Sequence, residues 1–247
     1  MKRASLRDAT VLVVALLAIW HALTFTSAGV ALASPAATFE RLGRLLVTPS
    51  FWLDVQATFT AFVYALVVAV VVGIGLGLWL GLSRFWGEVG EPILVSLYSL
   101  PKITLYPLVL LVFGLGLPAR VAFGAIHGVI PVVLFTMNAI RNLNPVYYKS
   151  ARAMRLTRTE LVFGIVLPGA APEVFSGVRV GFSLTLLGVL IGEMFASQHG
   201  LGFVIMSSIQ LNDVSRMLAA TLFLAIFAVA ANVALLSLDR RLHRTGS

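Results

Sequence analysis

The sequence predicts an all-helical protein that crosses a membrane several times. Of its 247 residues, 59% are hydrophobic and 11% are charged, whereas soluble domains are nearer half apolar and a quarter charged. A spanning helix needs about 20 mainly apolar residues. Six stretches meet this requirement, at about 10–30, 56–82, 93–115, 120–140, 174–196 and 217–238. We therefore expect an all-α polytopic membrane protein with six transmembrane helices.

The positions of the cations predict its orientation, because Lys and Arg are enriched in cytoplasmic loops. With a cytoplasmic N-terminus, twelve of the eighteen Lys and Arg residues fall inside. Four fall outside (Arg41, Arg44, Arg120 and Arg216), and Lys102 and Arg179 fall in or at the ends of spans. Both termini are thus expected in the cytoplasm. The net charge of +8 reports topology rather than nucleic-acid binding, since the cations are scattered over separate loops. The absence of cysteine excludes disulfides and thiolate metal sites.

The N-terminal segment is open to two interpretations. Lys2-Arg3, an apolar run and Ala31-Leu32-Ala33 are typical of a cleaved signal peptide, but the apolar run extending toward Val30 is also long enough to span. The external connector 34–55 contains apolar residues that predict a short amphipathic interfacial helix: Phe39, Leu42, Leu45, Leu46 and Phe51. We accordingly divide the chain into an N-terminal helix and connector (1–55), a core of five spans (56–238) and a basic cytoplasmic tail (239–247).

Small residues and prolines inside the spans predict how the helices pack. Gly73, Gly77 and Gly81 share one helix face, and this spacing lets helix backbones approach closely. The pairs Gly177/Gly181 and Gly188/Gly192 either pack within the chain or place a pore-lining helix at a subunit interface. Pro101, Pro107 and Pro131 are expected to kink their helices.

Ionisable groups within spans are costly and often functional. The candidates for a translocation path are Lys102, Arg179, Ser183, Thr185 and Glu193. Lys102 and Arg179 are the better candidates for contact with an anion. For each ionisable group the alternative is a structural pairing partner.

The segment 141–173 is a basic, helix-patterned stretch between apolar runs. Asn144-Pro145 predicts an N-cap and first helical residue, with a helix to about Met154. Thr157 and Glu160 match a capping box that begins a second helix ending before Pro168, and Pro172-Glu173 is expected to begin the next span. This helix–turn–helix predicts a docking surface for a cytoplasmic partner. The alternatives are a solvated helix pair or an anchor on anionic lipid.

The same segment resembles the cytoplasmic loop of permease subunits of binding-protein-dependent ABC importers, whose pattern is E-A-A-x3-G-x9-I-x-L-P. Aligned on Leu167-Pro168, Ile165 and Ala151 match the pattern, whereas Lys149, Ser150 and Arg155 depart from it. Four further stretches resemble the nitrate/sulfonate/taurine branch of these permeases: Leu100–Leu108, Phe113–Gly116, Gly192–Ala196 and Gly200–Gly202.

The resemblance implies a type I importer fold in a multi-pass protein of the bacterial inner (plasma) membrane. The implied partners are a second permease subunit, two ATP-binding subunits that hold ATP and Mg, a periplasmic or lipoprotein solute-binding protein, and membrane lipid. Since the chain has no Gly-x4-Gly-Lys-Ser/Thr phosphate loop, it is expected to have no catalytic site or cofactor of its own. The residues implied in ATPase coupling are Lys149, Ser150, Ala151, Arg152, Arg155, Thr157, Glu160, Ile165, Leu167 and Pro168.

Two departures from the pattern have physical consequences. Lys149 reverses the charge of the family's glutamate. This leaves three alternatives: the partner supplies a compensating acid, other cations such as Arg152 and Arg158 carry the docking, or the chain is the degenerate half of a permease heterodimer. Arg155 stands where a helix end favours a left-handed conformation, at a cost of roughly 1–2 kcal/mol for a non-glycine residue.

The alternative function is an ion- or proton-coupled secondary transporter acting as a dimer, although no internal repeat supports it. A passive channel would not explain the structured loop. An intramembrane enzyme is disfavoured because the four histidines show no ligand spacing. Within the importer class, small anions fit the cations in the spans, and neutral vitamin precursors stay open.

Overall fold

The computed structural model describes residues 6–25 and 32–245, and every regular element in these ranges is helical. Residues 26–31, which include the end of the first predicted span and Ala31 of the possible cleavage motif, lie outside the described ranges. The α-helices are α1 (Leu6–Leu23), α2 (Pro35–Leu46), α3 (Pro49–Leu82), α4 (Arg84–Ser99), α5 (Tyr106–Phe113), α6 (Leu117–Arg141), α7 (Pro145–Ala153), α8 (Arg158–Leu161), α9 (Leu167–Ala196), α10 (Leu201–Gln210) and α11 (Val214–Thr245). A 3₁₀ turn (Lys102–Leu105) precedes α5, and a π-turn (Val162–Val166) precedes α9.

Within the described ranges, four helices are long and apolar enough to cross a membrane: Pro49–Leu82, Leu117–Arg141, Thr159–Ala196 and Val214–Ser237. A fifth span is present if the bent pair Arg84–Ser99 and Lys102–Phe113 is counted as one. The apolar part of α1, Thr10–Leu23, is shorter. The predicted all-helical class with several spans is confirmed, and the total of six spans stays a prediction.

The core is built from α3, α6 and α9, with α6 in the centre, where it is buried along more of its length than the other long helices. Helix α3 runs parallel to α6, because Gly73 packs on Val132 and Gly81 packs on Ile140. Helix α9 runs antiparallel to α6, because Gly177 packs on Phe135 whereas Gly192, later in α9, lies beside Arg120 near the start of α6. The predicted role of the glycines in packing is confirmed. In α9 they contact α6 of the same chain.

The predicted amphipathic helix of the connector is α2. Its N-cap Ser34 accepts a hydrogen bond from the Ala37 N–H at 3.3 Å, and Leu42 and Leu45 are buried against a cluster that includes Leu224 of α11. The remaining predicted apolar positions of this helix, Phe39 and Leu46, are exposed.

An ion pair fixes α2 to the segment before α11. Arg41 Nη2 lies 2.7 Å from Asp213 Oδ2. Burial raises the pKa of Asp213, but hydrogen bonds from the Arg216 N–H and from Arg41, together with the charges of both arginines, outweigh it and lower the pKa. The carboxylate is therefore ionised at neutral pH and holds the connector on the core.

Helix α3 begins at Pro49, seven residues before the predicted start of that span at residue 56. Proline is favoured in the first helical turn because its φ angle is already helical and its missing N–H would be unpaired there. Phe51 is 3% exposed and thus belongs to α3 and the core, not to the connector helix.

The third predicted span is bent by 91° between α4 and the segment Lys102–Phe113. Leu100 has an extended backbone (φ −67°, ψ 139°), because the ring of a following proline disfavours the helical conformation. The predicted kink at Pro101 is confirmed. Pro107 lies in the first turn of α5, and α6 continues without interruption through Pro131.

The prediction that a helix ends before Pro168 is wrong, as is the prediction that Pro172 begins the next one. Residues Thr159–Ala196 form a single helix of 38 residues. The Leu167 N–H donates to the Val162 carbonyl five residues earlier, which is a π-type bond. A proline ring crowds the carbonyl four residues before it, and a wider turn is a recognised way for a helix to absorb such a disturbance. The segment after Thr157 is thus continuous with the span.

Packing along α3 gives a stability prediction with an internal control. A Cβ atom at Gly73 would lie 2.6 Å from Cβ of Val132, whereas one at Gly75 would meet no atom within 4 Å. We expect Gly73→Ala to destabilise the protein by about 1–3 kcal/mol, the range for overpacking, and Gly75→Ala to be neutral. The measurement is the thermal unfolding temperature in detergent, and equal temperatures for the two variants would contradict the α3–α6 contact.

Candidate functional site

The first candidate site is the surface of α7 and the turn that follows it. The helix begins and ends as predicted, because Asn144 Oδ1 accepts a hydrogen bond from the Val146 N–H at 3.0 Å and Met154 is the C-cap. The helix is tied to the end of α6 by Tyr148, whose hydroxyl donates to the Ile140 carbonyl at 3.2 Å. Ala151, on the same side of the helix, is 4% exposed. Burial raises the pKa of Tyr148, so the hydroxyl stays protonated and able to donate.

The opposite face of α7 is exposed and combines apolar and cationic groups. Val146, Tyr147 and Met154 are 58%, 50% and 69% exposed, and Lys149 and Arg152 are exposed beside them. Large apolar side chains that share a surface with cations mark an interaction site more often than a solvated face. We call the exposed residues Val146, Tyr147, Lys149, Ser150, Arg152 and Met154 the α7 face.

Three of the other predicted coupling residues lie outside α7, at the π-turn and the start of α9. Ile165 and Leu167 are partly buried, and Pro168 is exposed at the first turn of α9. Phe163 of the π-turn is 69% exposed. Ala151 is buried, so its side chain is not part of an exposed contact surface.

The end of α7 confirms the predicted left-handed residue. Arg155 has φ +54°, its N–H donates to the Arg152 carbonyl at 3.0 Å, and the Leu156 N–H donates to the Ala151 carbonyl at 3.0 Å. This pair of bonds is the Schellman motif, which usually has glycine at the left-handed position.

The capping box after α7 is also confirmed. The Thr157 N–H donates to Glu160 Oε2 at 2.8 Å, and the Glu160 N–H donates to Thr157 Oγ1 at 3.3 Å. The two motifs define the turn between α7 and α8, so that the α7 face has a fixed direction relative to the helix that leads into α9.

The five candidates for a translocation path are not brought together. Lys102 lies at the bend between α4 and α5. Arg179 pairs with Asn232 (3.0 Å) and Asp239 (3.5 Å), which joins α9 to α11. Ser183 is exposed, and Thr185 is fully buried against Gly128 of α6.

Glu193, the fifth candidate, is the centre of a buried polar cluster at the end of the core opposite α7. Its side chain is 0% exposed. Oε1 accepts from Arg120 Nη1 at 3.3 Å, and Oε2 accepts from the Thr58 hydroxyl at 2.8 Å and from the Gly202 N–H at 3.0 Å. A buried carboxylate needs such partners, and these come from α3, α6 and α10.

The N–H groups at the start of α10 donate the remaining hydrogen bonds of this cluster. The Gly200 N–H donates to Asp54 Oδ1 at 2.9 Å, and the Leu201 N–H donates to Thr58 Oγ1 at 2.8 Å. Helix α10 is therefore capped by side chains of α3, which satisfy N–H groups that a helix start leaves unpaired. Gly200 has φ +116°, and a Cβ atom there would collide with the Glu193 carboxyl group, so both its conformation and the space require glycine.

Sequence reasoning missed most members of this cluster. Arg120 was predicted to lie in an external loop, but it is in α6 and its side chain is 11% exposed. Asp54, Thr58 and Tyr106, whose hydroxyl donates to the Gly192 carbonyl at 2.7 Å, were not singled out. The glycines of Gly200-Leu201-Gly202 were the available signal, because closely spaced glycines mark a close approach of backbone to another group.

Three cavities with charged or histidine side chains in their walls lie beside the buried cluster and α7. Two, of about 540 and 390 Å³, lie at the buried cluster, and both are lined by Arg120 and His199. The third, of about 370 Å³, lies near α7 and includes Arg84, Arg141 and Tyr148. Within residues 6–25 and 32–245, no group of three His, Asp or Glu residues is placed to hold a metal ion.

The chain is similar to known transport proteins. A family model described as "Binding-protein-dependent transport system inner membrane component" matches residues 73–244. The chain is 33% identical over 230 residues to the riboflavin transport system permease protein RibX of Chloroflexus aurantiacus (90% of this chain, 86% of RibX). It is 26% identical over 193 residues to the taurine transport system permease protein TauC of Escherichia coli (78% and 70%). It is also 26% identical over 225 residues to the nitrate import permease protein NrtB of Synechocystis (87% and 82%).

The fold is also found in a solved transporter structure. A chain of the MetNI methionine ABC transporter in an inward-facing conformation superposes with a TM-score of 0.66, covering 82% of this chain and 98% of that one at 20% identity.

The left-handed arginine predicts a stabilising substitution. Because Arg155 has φ +54°, Arg155→Gly should relieve about 1–2 kcal/mol of strain and leave expression and assembly intact. Arg155→Ala is the matched control, since it removes the same side chain but keeps Cβ and the strain. Thermal stability should rank Gly above Ala. A collapse of complex yield in Arg155→Gly alone would show that the spacing argument is incomplete.

The buried pair predicts a non-additive effect on stability. Arg120→Gln or Glu193→Gln alone leaves one buried charge without its partner, and breaking a buried pair costs about 3–5 kcal/mol. The double substitution should cost less than the sum. Loss of the exposed Arg84–Glu88 pair through Glu88→Gln is the control, and should cost about 0–1 kcal/mol. Additive losses in thermal unfolding would contradict the direct contact.

Proposed function

The chain belongs to the family of inner-membrane components of binding-protein-dependent transport systems, in the branch that includes nitrate, sulfonate and taurine permeases, and we propose that it acts as one of two permease subunits in such an importer. It carries the solute path and transmits movement, whereas ATP and Mg bind to two partner ATPase subunits. A solute-binding protein delivers the solute. The family similarity and the likeness of the fold to a MetNI chain support this assignment.

The proposed topology is six spans with both termini in the cytoplasm of a bacterium. Helix α1 would be the first span, and the bent α4–α5 pair would be the third. The distribution of cations supports this orientation. It places α7 and the start of α9 on the cytoplasmic side, and the buried cluster around Glu193 on the outer side.

The observation that carries the coupling role is the α7 face, which is exposed on one side of a helix that is fixed to α6 on the other. A partner that moves this helix would also move α6 through the Tyr148–Ile140 hydrogen bond. It would likewise move α9, because the chain between Thr159 and Ala196 is one continuous helix. The same two helices meet at Arg120 and Glu193 at the outer end. A displacement at the ATPase is thereby transmitted across the full length of the core.

Charge at the α7 face limits the partner. Lys149 and Arg152 are both exposed, so the groove on the ATPase that receives this chain is proposed to contain a carboxylate. The exposed Val146, Tyr147 and Met154 would supply the apolar centre of the contact, and buried apolar and aromatic groups dominate the energy of most interfaces.

The experiment that tests this proposal measures ATP hydrolysis by the complex in nanodiscs, purified together with its ATPase. In the double variant Lys149→Glu/Arg152→Glu, hydrolysis stimulated by the binding protein should fall to the unstimulated rate, because the docking charges are reversed. The spans should remain folded, as judged by size-exclusion profile and thermal stability.

The control is Arg44→Glu, which reverses an exposed helical cation at the other end of the molecule and should leave stimulation unchanged.

A crosslinking experiment tests the same contact directly. Since the chain contains no cysteine, Val146→Cys supplies a single thiol for crosslinking to the ATPase. Val233→Cys in α11, which is similarly exposed, is the control. If no ATPase co-purifies, or if stimulated hydrolysis ignores the charge reversal, the coupling role is refuted and a secondary transporter becomes the better hypothesis.

A further inference from the structure

An apolar cavity of about 350 Å³ lies beside the bend between α4 and α5. Nine of its ten lining residues are aliphatic and come from α3, α4, the 3₁₀ turn and α6, and the tenth is Lys102. Val68, Val72 and Leu97 on the α3 and α4 side are 41–42% exposed, so the cavity opens to the surface of the chain. Its size and its apolar lining with one polar group are those of a small-molecule site.

The cavity lies near the middle of the helix bundle. Ile126 and Ile130 line it from α6, which extends from Leu117 to Arg141. They are thus near the midpoint of that helix, at a rise of 1.5 Å per residue. In many secondary transporters, binding sites form at the break of a discontinuous helix near the membrane centre, and the 91° bend provides a break of this kind here.

Lys102 has no anionic partner in the part of the chain that the structure describes. Its Nζ donates to the Tyr98 carbonyl at 3.0 Å and lies 5.1 Å from the centroid of the Tyr98 ring, but no described carboxylate is within 4.0 Å. An ammonium group has three donors, and a cation inside a membrane protein normally has a partner or a function.

The other cations near cavities are already compensated. Arg120 is paired with Glu193 at 3.3 Å, so the two cavities at the outer end have a carboxylate beside their arginine. Arg141 in the cavity near α7 is paired with Glu91 at 2.7 Å. Of the cavities described above, the one at Lys102 therefore combines aliphatic walls with a cation that has no described carboxylate beside it.

We propose that this cavity is a substrate-binding site in the permease itself, and that it takes an organic anion with an apolar body, such as an alkyl or aryl sulfonate or carboxylate. Lys102 binds the acid group, and the aliphatic walls bury the hydrocarbon. A small inorganic oxyanion would leave the walls without contact. A zwitterion would bring its own ammonium group toward Lys102.

This inference rests on the proposed function, because it names the class of solute that the permease carries. A lipid with an anionic headgroup has related chemistry, but a cavity of about 350 Å³ encloses only part of a lipid molecule, which favours a small solute.

The test measures binding of 1-naphthalenesulfonate by its fluorescence, using the permease–ATPase complex without ATP or binding protein in nanodiscs of zwitterionic lipid. We expect saturable binding that hexanesulfonate displaces and that nitrate and taurine do not. Lys102→Met should weaken binding by about tenfold or more, as expected for loss of one charge-assisted hydrogen bond. Lys102→Arg should retain binding, which guards against a simple folding defect. Arg44→Met is the matched control for loss of a cation elsewhere.

Four results would overturn the proposal. Equal binding to wild type and Lys102→Met would indicate partition into lipid, and displacement by nitrate as strong as by hexanesulfonate would indicate a site for inorganic oxyanions. Displacement by phosphatidylglycerol in the nanodisc, but not by hexanesulfonate, would assign the cavity to lipid. Absence of saturable binding would remove the site. Because binding is measured without ATP, any of these results is compatible with normal coupling through α7, and a coupling failure leaves the binding measurement interpretable.

Discussion

The arrangement of the core depends on the hydrogen bonds and the ion pair of the buried Glu193 carboxylate. Its partners belong to three other helices: Thr58 of α3, Arg120 of α6 and the Gly202 N–H of α10. An ionised group that is taken out of water is tolerated only when hydrogen bonds and an opposite charge replace its hydration. Each of these helices must consequently keep its position. The Thr58 hydroxyl that donates to Glu193 also accepts from the Leu201 N–H, so the same group fixes the start of α10.

Close packing along α6 complements this polar cluster. Glycines on α3 and α9 let both helices contact α6 at backbone distance, and in lipid such packing replaces the hydrophobic driving force that water would provide. The central helix is thus held by apolar contacts along its length and by a charge pair at one end. Under the proposed coupling role, a core held in this way would transmit a movement of one end to the other.

The sequence predicts the helices better than it predicts their partners. The start of α7, the capping box and the left-handed Arg155 follow from local rules, because residues close in the chain make the bonds. The continuous helix through Pro168 could not be predicted, since a π-turn depends on a one-residue shift in hydrogen bonding that leaves no clear pattern. The partners of Glu193 are 9, 73 and 135 residues away, so only the folded chain identifies them. Arg120 illustrates this limit, since a cation at the start of an apolar run looks the same whether it faces solvent or a buried carboxylate.

The cations of this fold differ in whether a carboxylate lies beside them. Arg120, Arg141 and Arg179 each have a carboxylate within 3.5 Å, and each joins two helices. These cations contribute to holding the core together, so a ligand that competed for one of them would weaken a helix contact. Lys102 donates to the Tyr98 carbonyl four residues earlier and has no described carboxylate beside it, so an anion bound there, as proposed above, would not compete with an ion pair between helices. Under the proposed role this matters, because a site on the path must release its ligand as readily as it binds it.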